Sequence, residues 1–379
     1  MKQTYLIFFS LLFFATSRTN GQIVAKTVNA LSKQSDLNYT EILKYKDPFS
    51  DAFTLDTIKS TISVNSQNSI IGGRFSFQTS QEKIVYDGNR LVVLDLAKYK
   101  YSLTDKIEDV RYNHLYRHSL LYYQKYLKEV QQKPYKIAVL PDTIINDVAY
   151  SKVRITESDS IINNQYCFLY NEFIINKKNN LPVIIYSINQ GLFEDMLITA
   201  IAEMSFNYLS RGISHSKGIY STVIPDIFKP EEKKERPLLL SKGSQAPNVE
   251  LFNINNDSES LVNINQKVVL LHFTTNGCPH SVASVSFLNE LYDSIDKRDL
   301  AILSINTFDN KQSITQFNKK YKVKYPVFWD GKSVADIYHV AGYPTFYLID
   351  KNRNISNSYS GYSSEIAKNL LEQIKALTK

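Results

Sequence analysis

Cysteine is almost absent: Cys167 and Cys278 are the only two in 379 residues. That scarcity excludes a disulfide-stapled scaffold and any cysteine-rich zinc or iron–sulfur centre. Glycine (12) and proline (11) are sparse as well. The longest apolar run, Tyr5 to Ala15, has about 11 residues, short of the ~20 a membrane-spanning helix needs. The formal charge of +7 is spread along the chain with no arginine-rich arm or basic stripe, which argues against nucleic-acid binding. What is plentiful is Tyr (26) and Phe (20), a composition that favours extended, strand-rich structure. With 43% hydrophobic and 21% charged residues the chain can build real cores, and at ~150 residues per domain its length predicts two or three of them.

The amino terminus reads as an address. Met1-Lys2, the short apolar run and then small or polar residues describe a secretory signal peptide over residues 1–21, with Thr19-Asn20-Gly21 before Gln22 as the cleavage site. A retained membrane anchor is the competing reading. No cysteine lies near the site, which argues against a lipid-anchored lipoprotein. The expected location is the periplasm or cell envelope.

Lys229-Pro-Glu-Glu-Lys-Lys-Glu-Arg-Pro237 is the clearest boundary, a charged and proline-stiffened segment that opens a linker over 229–242. Before it, over 22–228, a short helical pattern (Ile23, Val24, Val28, Leu31) gives way to strand signals. Ile58, Ile62 and Val64 share a face, Phe75 and Phe77 alternate with polar neighbours, and Ile84–Tyr86 and Leu91–Leu94 flank Asp87-Gly88-Asn89 as a tight hairpin. Leu120–Tyr123 with Tyr126, Leu127 and Val130 has helical spacing and interrupts the sheet once. Strands resume at Asp147–Thr156, Tyr166–Ile175, Leu181–Ser187 and Met196–Phe206. The pattern predicts an α+β domain, an antiparallel sheet curved over one or two helices.

The order helix, strands, helix, strands, with the phrases Tyr86-Asp87-Gly88-Asn89 and Asn179-Asn180-Leu181-Pro182-Val183, resembles the LolA/LolB-like lipoprotein-carrier fold. The resemblance implies an antiparallel half-barrel whose concave face holds acyl chains, so a lipid or lipoprotein is the implied partner. A filled core is the other reading of the same strands.

From Gly243 onward strands alternate with helices, which implies a largely parallel sheet over 243–379. Val268–Leu271 is a continuous apolar run of the kind found in a strand buried on both faces. Cys278 follows, then a helix marked by Val282, Val285, Phe287, Leu288 and Leu291. Leu300–Asn306, Tyr325–Trp329 and Pro344–Ile349 read as further strands, and Ile314–Tyr321 and Glu365–Leu377 as helices. A cysteine at the first turn of a helix faces unpaired N–H groups and the positive end of the helix dipole, which favour thiolate, the nucleophilic form.

These residues resemble the TlpA/ResA-like branch of the thioredoxin fold. Gly243-Ser-Gln-Ala246-Pro247-Asn-Val-Glu-Leu251 is similar to its opening G-x-x-A-P-x-x-x-L. Val268–Phe273 leading to Cys278 is similar to the strand that delivers its active-site cysteine. Gly342-Tyr343-Pro344-Thr345-Phe346 with Leu348-Ile349-Asp350 is similar to its cis-proline segment. The resemblance implies an α/β thioredoxin fold, thiol–disulfide exchange at Cys278, and substrate docking on Tyr343, Pro344 and Thr345. It implies cysteine-containing envelope proteins and an external thiol reductant as partners, and no metal or cofactor.

The departures bear on mechanism. Where the family has C-x-x-C, this chain has Cys278-Pro279-His280-Ser281, and the tryptophan usual before the first cysteine is Gly277. A serine hydroxyl cannot resolve a mixed disulfide, so Cys278 would need an outside thiol. His280 matches the C-P-H-C motif of exported disulfide oxidases, where it favours the thiolate; a solvated helix-start residue is the alternative. Ser281 would donate a hydrogen bond to the thiolate. Cys167 reads as a buried inert thiol, with an internal bridge to Cys278 as the lesser option. Thr275-Asn-Gly-Cys278 also matches the T-x-x-C of peroxiredoxins, but Leu271 stands where their proline belongs and no arginine lies near the cis-proline segment. His114 and His118, four apart with no third ligand evident, read as surface residues, and His272 as a hydrogen-bonded core residue. Ser281 and His280 do not make a hydrolase, since neither a nucleophile elbow nor an orienting acid is visible. The reading from another class is a degenerate thioredoxin-fold binding protein whose first half carries a lipid or protein ligand.

Overall fold

The alternation of inward apolar and outward polar residues organises the first half of the molecule. The computed structural model describes residues 21–33, 36–46, 53–65, 70–193, 196–209, 218–232 and 238–379. Apart from Gly21, the signal peptide read at 1–21 lies outside the described residues. By its internal contacts the chain divides into two units, Met1–Gly191 with Thr199–Lys233, and Leu192–Ile198 with Lys234–Lys379.

The first unit opens with helix α1 over residues 21–32, whose Val24 and Leu31 are buried. Six strands follow: β1 (Leu37–Lys46), β2 (Phe53–Val64), β3 (Gly73–Gln78), β4 (Glu82–Tyr86), β5 (Leu91–Asp95) and β6 (Lys100–Thr104). Three short helices, α2 (Ile107–Tyr112), α3 (His114–His118) and α4 (Leu120–Val130), lead to β7 (Lys136–Ile145), β8 (Val148–Ile162), β9 (Gln165–Asn176), β10 (Pro182–Phe193), β11 (Met196–Tyr208) and the two-residue β12 (Lys229–Pro230). They form one sheet in the order β12-β6-β5-β4-β3-β2-β1-β11-β10-β9-β8-β7. Every register described within it is antiparallel except that of β12 on β6.

Two local features explain where the chain turns. Asp87 accepts the backbone N–H groups of Asn89 and Arg90 at 2.8 Å each, and Gly88 takes φ +108°, a conformation that L side chains rarely adopt. Asn113 and Ser119 cap α3 and α4 by accepting from Tyr116 N (3.1 Å) and Tyr122 N (3.3 Å). The sequence pattern predicts one helix from Leu120, whereas the helical stretch begins at Ile107 and is broken at these two caps. Phe75 and Phe77 stack at 4.5 Å in a core that also takes Tyr116 and Leu120 from the helices. Lys229 and Pro230, expected at the start of the charged linker, instead lengthen the sheet edge beside Lys100 and Tyr101.

The second unit is a seven-stranded sheet. Its elements are β13 (Glu250–Asn253), β14 (Ser258–Ser260), β15 (Val268–Thr274), α5 (Pro279–Ser294), β16 (Leu300–Asn306), α6 (Lys311–Tyr321), β17 (Val327–Trp329), α7 (Lys332–Ile337), β18 (Thr345–Ile349), β19 (Ile355–Ser360) and α8 (Ser364–Thr378). The strand order is β14-β13-β17-β16-β15-β18-β19. β15 runs parallel to β16 and antiparallel to β18. All seven residues of β15 are buried, because its side chains alternate between two cores: Val269, Leu271 and Phe273 enter one, Val268 and Leu270 the other. The short strands β13, β14 and β19 and the helix α7 have no clear period and were not anticipated from the pattern.

Candidate active site

The site forms at the carboxyl end of β15, where a strand covered on both faces must release its chain towards solvent. The release loop is held by a network. Asp309 accepts from the Thr275 hydroxyl (3.0 Å) and from Asn276 N (2.8 Å). The Asn276 side chain donates to Ser313 Oγ (3.0 Å) and accepts from Asn306 Nδ2 (3.1 Å), and Asn306 Oδ1 accepts from Asp309 N (3.0 Å). Cys278 N donates back to Thr275 O at 3.2 Å, and Cys278 becomes the N-cap of α5 with Pro279 at the first helical position.

Antiparallel pairing of β18 with β15, with Thr345 opposite Phe273, brings the segment before β18 to the same end of the sheet. The Tyr343–Pro344 peptide bond is cis. The Cys278 Sγ–H donates to the carbonyl oxygen of Tyr343 at 3.2 Å. Thr345 is buried and its hydroxyl donates to Gly342 O at 2.8 Å, so its side chain braces the turn from within. Tyr343 is half-buried, with Phe308, an exposed ring, edge-on to it at 5.7 Å.

The other expected site residues fall differently. Ser281 is fully buried in the first turn of α5, and its hydroxyl has no hydrogen-bond partner among the described residues. The exposed His280 places Nδ1 3.1 Å from Tyr362 O, so Nδ1 carries the proton that bonds this carbonyl. Beneath them His272 is buried between Ser304 Oγ (3.0 Å from Nδ1) and Ser284 Oγ (3.3 Å from Nε2). Ser284 donates its own hydrogen to Ser281 O at 2.7 Å, so Nε2 is the protonated nitrogen of His272 and Nδ1 accepts from Ser304. Its ring stacks on Phe346 at 5.0 Å, and burial lowers its pKa from 6.5 to about 3. It is the hydrogen-bonded core residue expected from the sequence.

Cys167 is buried on β9, and both cysteines are free thiols. Among the described residues no group of three or more His, Cys, Asp or Glu is arranged to hold a metal. His114 is exposed, with Nε2 3.2 Å from Glu82 Oε1. The sequence reading missed Asn276, Asn306, Phe308 and Asp309. The available signal was their position at or just beyond the carboxyl ends of the parallel strands β15 and β16, where open α/β sheets form their sites.

A parallel β15–β16 pair, an antiparallel β18 beside it, a cysteine heading the intervening helix and a cis proline against its sulfur define a thioredoxin-fold protein built for thiol chemistry. The AhpC/TSA family model matches residues 242–358. Thiol-disulfide oxidoreductase ResA of Geobacillus thermodenitrificans is 30% identical over 135 residues, which cover 35% of this chain and 78% of that one. ResA of Bacillus subtilis is 28% identical over 127 residues, 33% of this chain and 71% of its own. Among solved structures, the thiol:disulfide interchange protein DsbE from Chlorobium tepidum covers 37% of this chain and 99% of its own, at 22% identity and a TM-score of 0.35. This chain belongs to the ResA-like family of thiol–disulfide oxidoreductases, and the membership rests on its second unit.

Proposed function

We propose that this protein is exported and carries out thiol–disulfide exchange on cysteine-containing envelope proteins through one nucleophile, Cys278. The observation that carries the reading is the position of its sulfur. It heads α5, 3.2 Å from the carbonyl that precedes cis-Pro344, with the buried Ser281 where a second thiol would stand. The organisation that accompanies this reading is a signal peptide at 1–21, a LolA-like half-barrel at 22–228, a charged linker at 229–242 and the thioredoxin-like domain at 243–379.

In the first step the Cys278 thiolate attacks one sulfur of a substrate disulfide. A Cys278–substrate disulfide forms, and the other substrate sulfur leaves as a thiolate. Ser281 carries no sulfur, so it cannot resolve this adduct. Resolution needs a thiolate from outside the motif. If a substrate thiolate attacks, Cys278 is regenerated and the substrate is isomerised with no net redox change. If an external thiol attacks, two external thiols become oxidised for each substrate disulfide reduced. The structure has no hydrogen bond between Ser281 and the Cys278 thiol, so the donation to sulfur expected of Ser281 would have to form with the thiolate; His280 sits on the same first turn. The backbone of Tyr343, Pro344 and Thr345 offers the edge on which a substrate strand docks beside the sulfur.

A disulfide-bonded peptide incubated with the protein tests this by intact mass. The expected product is one peptide per chain, attached at Cys278, stable until reduced glutathione is added, absent in Cys278→Ala and retained in Cys167→Ala. Ser281 in the second-cysteine position also favours a binding protein whose thiol is idle. Absence of any Cys278 adduct would establish that reading instead.

A further inference from the structure

The first unit contains a cleft of about 750 Å³ that the thiol chemistry does not use. Its volume lies within the range of small-molecule sites. Its lining includes the apolar side chains of Leu43, Leu169, Ala200 and Ala202. Two tyrosines of α4, Tyr122 and Tyr123, line it with their rings at right angles and 5.2 Å apart.

Asp56, Glu157 and Arg117 line the same cleft, together with His114 and His118, and none of the first three has an ion-pair partner among the described residues. Glu157, half-buried on β8, accepts from Asn171 Nδ2 at 3.0 Å, and Asn171 is itself 4% exposed and bonded to Tyr126 OH at 3.1 Å. That carboxylate is therefore held in place and acts electrostatically on both Tyr122 and Tyr123. Arg117, exposed on α3, acts on Tyr122 with the opposite sign. His114, which lines the same cleft, is already engaged by Glu82 at 3.2 Å.

A carboxylate beside two perpendicular aromatic faces is a recognition site for an ammonium group, which gains from the charge and from the negative ring faces together. The Arg117 guanidinium, which lines the same cleft, presents paired N–H donors that fit a carboxylate. A hydrocarbon chain in this cleft would cover Glu157 with apolar atoms and leave its charge with neutral hydrogen-bond donors such as Asn171 and no cation, which is costly. We propose that this cleft binds a small zwitterion of the amino-acid or short-peptide class, its ammonium held by Glu157 against Tyr122 and Tyr123 and its carboxylate by Arg117.

The test is isothermal titration of the full chain with the dipeptide Leu-Tyr, its N-acetylated form and its carboxyl-amidated form. The expected result is saturable one-to-one binding of the free dipeptide, weakened about tenfold or more by either blocking group. Glu157→Gln is expected to lose the preference for the free amine, and Ala202→Phe, which adds bulk to the lining at an uncharged position, to lose binding altogether; both are checked for an unchanged melting profile of the first unit. Four results would overturn the proposal: a blocked dipeptide bound as tightly as the free one, unchanged affinity in Glu157→Gln, no saturable binding of any form, or oleate bound in the cleft in place of the dipeptide.

Discussion

The sulfur of Cys278 and the carbonyl oxygen of Tyr343 lie 3.2 Å apart although 65 positions separate them in the chain. The contact depends on two strands meeting in one register: β15 ends at Thr274 and β18 begins opposite Phe273. It also sets a direction, because a thiol that donates to this carbonyl lies beside the backbone edge where a substrate strand would dock. On the proposed reading, the buried Ser281 three residues on leaves a disulfide captured at Cys278 without an internal thiol to release it.

Restoring the second thiol should change that property. In Ser281→Cys the new sulfur replaces an oxygen that has no hydrogen bond to lose. The variant is expected to form an internal disulfide between Cys278 and the introduced thiol, and to shorten the lifetime of the peptide adduct at least about tenfold without external thiol. Free-thiol titration and intact mass check both. A long-lived adduct in the variant would show that position 281 cannot reach the sulfur.

Acid should weaken the fold through His272. Burial lowers its pKa from 6.5 to about 3, so the unfolded chain takes up a proton that the folded chain refuses between those values. This contribution is intact above about pH 6.5 and is lost progressively as pH falls towards 3. His272→Gln, which keeps a donor and an acceptor near Ser304 and Ser284, should lose less stability than the parent over that window. Urea midpoints at pH 7, 5.5 and 4 measure the difference, and parallel curves would refute the assignment.

Glu41 predicts the opposite trend. It is 1% exposed on β1, its Oε1 has no hydrogen-bond partner among the described residues, and burial raises its pKa well above 4.5. A raised acid keeps its proton in the folded state, so stability falls as pH rises above about 4.5. Glu41→Gln avoids ionisation at the same size. Its midpoint should exceed that of the parent by a few degrees at pH 7.5, the order expected for ~1–2 kcal/mol, and match it near pH 4. Equal midpoints at both pH values would place a compensating partner at Glu41.

Much of this molecule was legible before any coordinates. The unbroken apolar run at Val268 specified a strand covered on both faces, and a cysteine followed by proline and a helical period specified an N-terminal helix position for the sulfur. Alternation located most strands of the first unit, since a half-buried strand must repeat every two residues to face a core. The fold decided what period cannot encode. β1 was missed because the buried Glu41 breaks its apolar alternation, and β6, with an exposed Leu103, carries almost none. Asp309, Asn276 and Asn306 meet only because β15 and β16 end side by side, and Glu157 and Arg117 share a cleft only because the sheet and its helices close around one space. Local chemistry sets what each segment can be; non-local pairing, which brings distant residues into contact, sets which side chains act together.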